Sequence, residues 1–240
     1  TGIATVNSSS GAAASVAAGN TTITASAAET NEYTSASDSY TLVINKKTLT
    51  ASASASNKTY DGGVSATVTL TFSGLIGSET LGQSVSSTFS DENVGTGITV
   101  TVNSITLSDG SNGGLANNYS ISSGQTTTAN ITAKSVTVSG ITASNKTYDA
   151  STSATVDVSS ASFSGIVSGD NLSVSASGVF DNANVGTGKT VTLTSSYAGD
   201  DVNNYSITDQ ASTTANVTQK ALTATASASN KSYDSATTAT

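Results

Sequence analysis

Asn57-Lys58-Thr59-Tyr60-Asp61 decides how this chain is read, because the pattern comes back. It returns as Asn145-Lys146-Thr147-Tyr148-Asp149 and again as Asn230-Lys231-Ser232-Tyr233-Asp234, steps of 88 and 85 residues. Outward from it, other landmarks keep nearly the same step. Asn93-Val94-Gly95-Thr96-Gly97 recurs as Asn184-Val185-Gly186-Thr187-Gly188, and Asn117-Asn118-Tyr119-Ser120-Ile121 as Asn203-Asn204-Tyr205-Ser206-Ile207. Thr127-Thr128-Ala129-Asn130 returns as Thr213-Thr214-Ala215-Asn216. Landmarks in constant order at a constant step are the signature of tandem modules. A period of roughly 86 residues is too long for the short solenoid repeats and suits a small domain with its own core.

Between the landmarks the chain alternates. Val68, Leu70 and Phe72 stand between Thr69 and Thr71, Val100 and Val102 between Thr99 and Thr101, and Val136 and Val138 about Thr137. A period of two built from β-branched residues predicts strands, and it answers the low-complexity look of a chain rich in Ser, Thr, Ala, Asn and Gly. In the second copy the expected strands are 135–143, 153–158, 161–164, 172–179, 189–195, 204–208 and 213–218. Their inward set is Val136, Val138, Ile141, Tyr148, Val156, Val158, Phe163, Leu172, Val174, Phe180, Val191, Leu193, Tyr205, Ile207 and Val217. Seven short strands with Gly, Asn and Asp between them predict an all-β β-sandwich. The modules run 46–133 and 134–219, and 220–240 opens a third copy with one strand, 221–229, and the motif. Residues 1–45 do not match the repeat. The joins Ile44-Asn45-Lys46-Lys47, Ile131-Thr132-Ala133-Lys134 and Val217-Thr218-Gln219-Lys220 carry no flexible Gly-Ser tether, so an elongated, semi-rigid array is expected.

Composition removes whole classes of chemistry. The 240 residues contain no Cys, His, Met, Trp or Pro, and all 8 basic residues are Lys. Disulfides and thiolate metal sites need Cys. The usual general base near neutral pH and the commonest transition-metal ligand are His. A net charge of −8 with so few cations argues against nucleic acid, which demands clustered Lys or Arg. No run approaches the ~18 apolar residues that cross a bilayer, so no membrane insertion by this segment is expected. The missing Met and the third motif so close to residue 240 lead us to expect an internal piece of a longer protein.

Two resemblances rest on these residues. Residues 1–45 carry Ile3-Ala4-Thr5-Val6, the run Val16-Ala17-Ala18-Gly19-Asn20-Thr21-Thr22-Ile23-Thr24-Ala25 and a closing Tyr40-Thr41-Leu42-Val43-Ile44. They resemble the back half of a group-two bacterial immunoglobulin-like domain of intimin or invasin type. Asn57-Lys58-Thr59-Tyr60-Asp61-Gly62, with Asn-Val-Gly-Thr-Gly, Asn-Tyr-Ser-Ile and the terminal Thr-Thr-Ala-Asn-Ile-Thr, resembles the YDG-type repeat of filamentous-haemagglutinin-like surface adhesins. That likeness covers 46–219 and the start of a third copy. It implies immunoglobulin-like sandwiches serving as spacers in an exported protein, extracellular at the bacterial surface or secreted. Only the first copy has the Gly of Tyr-Asp-Gly; Ala150 and Ser235 follow Asp149 and Asp234, which argues against an essential positive φ there.

The candidate residues are therefore structural: Lys58, Tyr60 and Asp61, Lys146, Tyr148 and Asp149, Lys231, Tyr233 and Asp234. The Tyr is expected to fill the edge of the core and the Asp to accept backbone N–H groups in the next turn. Asn-Val-Gly-Thr-Gly precedes a strand, not a helix, so it is a turn and no phosphate cradle. Carboxylates at Asp91-Glu92, Asp109, Asp170 and Asp200-Asp201 raise calcium as a cofactor, but no spaced Asp-x-Asp-x-Asp-Gly loop is present, and no cofactor is expected. A Lys–Asn isopeptide crosslink would need Lys58, Asn130 and Asp61, or Lys146, Asn216 and Asp149, buried together; Asn130 and Asn216 alternate with inward residues and should face solvent. A non-enzymatic stalk segment of a cell-surface adhesin, partnered by its neighbouring domains, is the first expectation. The alternative is a module that binds glycan or a host surface protein through its loops, although no Trp offers a sugar-stacking face.

Overall fold

The computed structural model describes residues 4–6 and 13–237. Ile3, used in reading the first segment, lies outside the described residues. The chain is all-β, and it divides into two units, Thr1–Lys134 and Ser135–Thr240.

In the first unit, Ala4–Val6 pairs antiparallel with Ala13–Ser15. Gly19–Ala27 and Ala36–Ile44 then form a nine-pair hairpin. Thr and Ile alternate in its first strand, as strand pattern requires, yet Tyr40 and Val43 on the second stand exposed. The first module follows. Its larger sheet has the order Lys58–Thr59, Thr126–Thr132, Gly95–Asp109, Leu81–Phe89. The first of its three pairings is parallel and the other two are antiparallel. The alternation of Val and Thr seats Val100 and Val102 in the core while Thr99 faces water. Outside this sheet, Thr50–Ala55 pairs with Val68–Ser73, and Lys47–Thr48 pairs in parallel with Tyr119–Ser120. Leu49, Leu70, Phe89, Val100, Val102, Tyr119 and Ile131 are buried.

The second unit repeats the plan. Lys146–Thr147, Ser212–Thr218, Gly186–Ala198, Ser173–Phe180 and Ser153–Ala154 line up in that order, while Lys134–Ser139 lies between Ser162–Ser164 and Tyr205–Thr208. The core draws on both groups: Val138 and Ile141 pack with Phe180, Val191, Leu193, Ala215 and Val217. Burying such side chains contributes about 1.5–3 kcal/mol each before entropy is counted.

Three expectations change in detail. The strand expected at 135–143 is two, Lys134–Ser139 and Thr142–Ala143. Gly140 breaks it, at φ 88°, and a Cβ there would sit 2.3 Å from the Ser160 carbonyl oxygen. Gln210 fills the gap by accepting from the Ile141 N–H at 2.9 Å and donating to its carbonyl at 2.7 Å. The strand expected at 153–158 also divides. Ser153–Ala154 joins the larger sheet and Val156–Asp157 pairs with Thr142–Ala143. The strand expected at 221–229 does not form; residues 219–237 carry no strand and are exposed. In the second module the corresponding first strand rests on Ser162–Ser164, well downstream of its own motif, and no described residue stands in that place for the third copy.

Candidate functional site

Each copy of the motif builds the same clasp. Lys58 and Thr59 leave the first group of strands to pair in parallel with Ile131 and Thr132, and the Tyr60 N–H donates to the Thr132 carbonyl at 2.8 Å. This turns the Lys58 side chain inward, where only 16 % of it stays exposed. Its ammonium donates to Asp61 Oδ1 at 2.6 Å and to the Gly63 carbonyl, and lies 5.5 Å from the centre of the Phe89 ring. Asp61 Oδ1 also accepts from the Gly63 N–H at 3.0 Å, closing the turn. The second copy is a near replica. Lys146 donates to Asp149 at 2.8 Å, to the Ser151 carbonyl at 2.7 Å and to the Ser153 carbonyl at 3.1 Å, again 5.5 Å from a ring, that of Phe180. The desolvated ammonium thus exchanges water for a carboxylate, carbonyl oxygens and a π-face. The Lys hydrogen bond is the main reason Asp61 and Asp149 hold their protons less readily than an ordinary carboxylate.

Among the described residues, the third motif forms the clasp without pairing to a strand. Lys231 reaches Asp234 at 2.9 Å, and the Ala236 N–H donates to Asp234 at 3.0 Å. The turn is therefore encoded locally. In all three copies the residue after Asp is left-handed: Gly62 at φ 75°, Ala150 at 62° and Ser235 at 62°. This overturns the expectation drawn from Ala150 and Ser235. The conformation is required, and two copies meet it with residues that carry a Cβ, at a cost of about 1–2 kcal/mol. Ala150→Gly should therefore stabilise the second module by about 0.5–1 kcal/mol once the looser unfolded chain is allowed for. Gly62→Ala should lower the first module by a similar amount, and paired thermal melts of the two variants check both signs.

A second device locks the clasp to the other landmarks. The Asn130 N–H donates to Asn57 Oδ1 at 2.7 Å, and Asn130 Oδ1 accepts from the Gly97 N–H at 2.8 Å. Asn216, Asn145 and Gly188 repeat this at 2.7 and 2.7 Å. Gly97 and Gly188 sit at φ 65° and 61°, beside the register shift that opens the Gly95–Asp109 and Gly186–Ala198 strands. Three of the recurring landmarks thus meet at one end of the module. The arrangement also disposes of the crosslink geometry: the Asn130 amide oxygen faces Gly97, and the Lys58 ammonium faces Asp61 and Gly63.

The tyrosines divide. Tyr60 is buried at 4 % exposure, whereas Tyr148 is 38 % exposed and Tyr233 94 %. Placing Tyr148 in the core and Tyr233 at a core edge is corrected accordingly. The Tyr148 N–H donates to the Thr218 carbonyl at 2.8 Å, next to the exposed, strandless residues from Gln219, and the ring stays open to water. Tyr148→Ala should accordingly cost about 1–2 kcal/mol, well under the 3–5 expected for a fully buried ring. Urea unfolding of the second module measures it.

Sequence reading missed the partners of the other recurring tyrosine. The Tyr205 hydroxyl accepts from the Val167 N–H at 2.9 Å and donates to Asp170; Tyr119 accepts from the Ile76 N–H at 3.2 Å and donates to Glu79. Burial first, and then the carboxylate, pushes the Tyr205 hydroxyl up to about 12 and raises Tyr119 too. The signal was present in the sequence, since Ile76-Gly77-Ser78-Glu79 and Val167-Ser168-Gly169-Asp170 keep one spacing with an acid at its end.

Several other carboxylates accept main-chain N–H groups. Asp91 accepts from the Asn93 N–H, Asp109 from the Ala116 N–H and Asp201 from the Asn171 N–H. Among the described residues, no three acidic groups gather as a metal site would require.

A family model described as YDG domain matches residues 45–129 and again 132–215. No curated protein and no solved structure gives a significant match.

Proposed function

Since the chain belongs to the YDG-domain family, with two domains in tandem, we propose that it is a non-enzymatic spacer segment of a bacterial surface adhesin, each domain an immunoglobulin-like sandwich. The observation that carries this reading is where the recurring residues point. Asn57, Lys58, Asp61, Gly97 and Asn130 bond to one another or to neighbouring main chain, and their second-copy counterparts do the same. A module whose repeated polar groups are satisfied internally is built to be stable and repeated, whereas a binding module repeats groups that face a ligand. In this reading the segment acts outside the cell, with neighbouring adhesin domains as its partners, no cofactor, and a ligand-binding region elsewhere in the longer protein.

The test is to place the segment between a known receptor-binding domain and a cell-surface anchor, then remove one or both YDG domains. A spacer role predicts that the binding domain keeps its affinity in solution while cell adhesion falls in steps with shortening. Direct binding of residues 46–219 to a glycan or host-protein array, with adhesion surviving loss of the receptor-binding domain, would replace this reading by that of a binding module.

A further inference from the structure

We propose that residues 220–234 are a donor segment for the first domain of a second copy of this chain, in which they take the place of residues 47–61. The two stretches have one length from Lys to Asp. They differ only at Thr48, Ser52 and Thr59, where the tail has Ala221, Thr225 and Ser232. All three positions are exposed in the first domain. Every inward position is kept. The buried Leu49 and Tyr60 correspond to Leu222 and Tyr233, and the half-buried Ala51, Ala53, Ala55 and Lys58 to Ala224, Ala226, Ala228 and Lys231. On the tail the same side chains meet water: Leu222 is 96 % exposed, where Leu49 is 2 %.

The seat is held largely through main chain. The Leu49 N–H donates to the Ser120 carbonyl at 2.8 Å, and Thr50–Ala55 pairs residue for residue with Val68–Ser73. Beyond them the Ser56 N–H donates to the Thr67 carbonyl at 3.0 Å and the Tyr60 N–H to the Thr132 carbonyl at 2.8 Å. A segment of equal length with the same inward side chains makes the same bonds, and Asn230 stands where Asn57 accepts from the Asn130 N–H. Ala221 gives up the contact between the Thr48 and Ser120 hydroxyls, 3.4 Å apart. The tail also carries its last turn ready made. Lys231 meets Asp234 at 2.9 Å, Ser235 is left-handed like Gly62, and the Ala236 N–H donates to Asp234 as the Gly63 N–H does to Asp61. The second domain has a different seat: Lys134 to Asp149 is one residue longer, and Gly140 breaks its strand, whereas the tail has no glycine from Lys220 to Asp234. Residues 47–61 already fill the seat in each copy and, being tethered, act at an effective concentration on the order of millimolar. They hold it in the free chain, and a donor enters where they are weakened or drawn out. Exchange of a matching element between protomers is a low-cost route to association. Donor and seat lie at different places on each copy, so the contact is head to tail and open to further copies.

The test uses the full chain with Leu49→Asp and Ala53→Asp, which put carboxylates at inward positions of the resident segment and leave Leu222 and Ala226 unchanged. Amide exchange at Val100 and Val102, both buried in the first domain, is followed by NMR beside sedimentation at about 20 μM and about 1 mM. At the lower concentration both amides should exchange as in an open domain. At the higher one they should slow at least about tenfold, with a rise in mass. Adding Leu222→Asp and Ala226→Asp should abolish both the protection and the rise. The proposal is overturned if the first variant stays open and monomeric at the higher concentration, or associates without closing its first domain. It is equally overturned if that domain closes without added mass, or if association survives the changes to the tail.

Discussion

Phe180→Ala should destabilise the second YDG domain by about 3–5 kcal/mol, the usual range for emptying a buried aromatic site. The ring is 2 % exposed and packs among Val138, Ile141, Val191 and Val217. It is also the floor of the clasp, with the Lys146 ammonium 5.5 Å from its centre. Truncation therefore leaves a cavity and removes the π-face from a poorly solvated cation. The second loss adds about 0.5–2 kcal/mol where water cannot re-enter. Phe180→Leu separates the two effects, since it keeps most of the volume and none of the π-face. In urea unfolding the second domain's transition should move to lower denaturant while the first domain's stays in place. A shift under about 1.5 kcal/mol would mean the core collapses around the gap and that the clasp does not depend on the ring.

Tyr205 should be the other costly site. Tyr205→Ala is expected to cost about 3–5 kcal/mol, and Tyr205→Phe about 1–2, because the Phe variant leaves the half-buried Val167 N–H without its acceptor. The tyrosine also sets an alkaline limit. A phenol whose folded value is raised from 10 to about 12 favours the native state only while it stays protonated. Its contribution is complete below pH 10, fades as the unfolded phenol ionises above that, and is gone beyond about 12. Melts between pH 9 and 12.5 should show the second domain losing stability across this window and Tyr205→Phe losing less of it. At the acid end the clasp carboxylates work in the opposite sense. Asp61 and Asp149 are lowered by their lysines, so their support is present above the ordinary carboxylate value and lost as pH falls through their own.

Much of this architecture was legible because its code is local. Val100 and Val102, or Val136 and Val138, alternate with Thr, and that pattern leaves them one fold-compatible orientation. The Asp61 turn was legible for the same reason: a short acceptor two residues from its donor N–H is an Asx turn wherever it occurs. What escaped was non-local. Lys58–Thr59 and Lys146–Thr147 are strands of two residues, too short for any periodicity, and they exist because Ile131–Thr132 and Val217–Thr218 lie alongside. Tyr60 and Tyr148 are the same letter in the same motif, and their 4 % and 38 % exposures depend on what surrounds each ring. Ala150 argued against a left-handed turn because sequence shows the cost of the conformation and hides the hydrogen bonds that impose it. Here the Asp149 acceptor and the three Lys146 bonds over-determine the backbone, which is how such strain persists.

The parallel pairs have a consequence under tension. In each domain Lys58–Thr59 or Lys146–Thr147, which follows the opening strands, runs alongside and in the same direction as the last strand, close to where the chain leaves. Pulling on the two ends of a domain drags these neighbours past each other along their length. Their hydrogen bonds, with the Tyr60 and Tyr148 N–H bonds at 2.8 Å that extend them, then carry the load side by side and must fail together. A hairpin pulled open at its mouth would lose its bonds one after another at low force. The Lys–Asp clasp and the Asn130 or Asn216 lock sit beside this last strand, so the residues that recur in both domains also fasten the place where the chain leaves each of them.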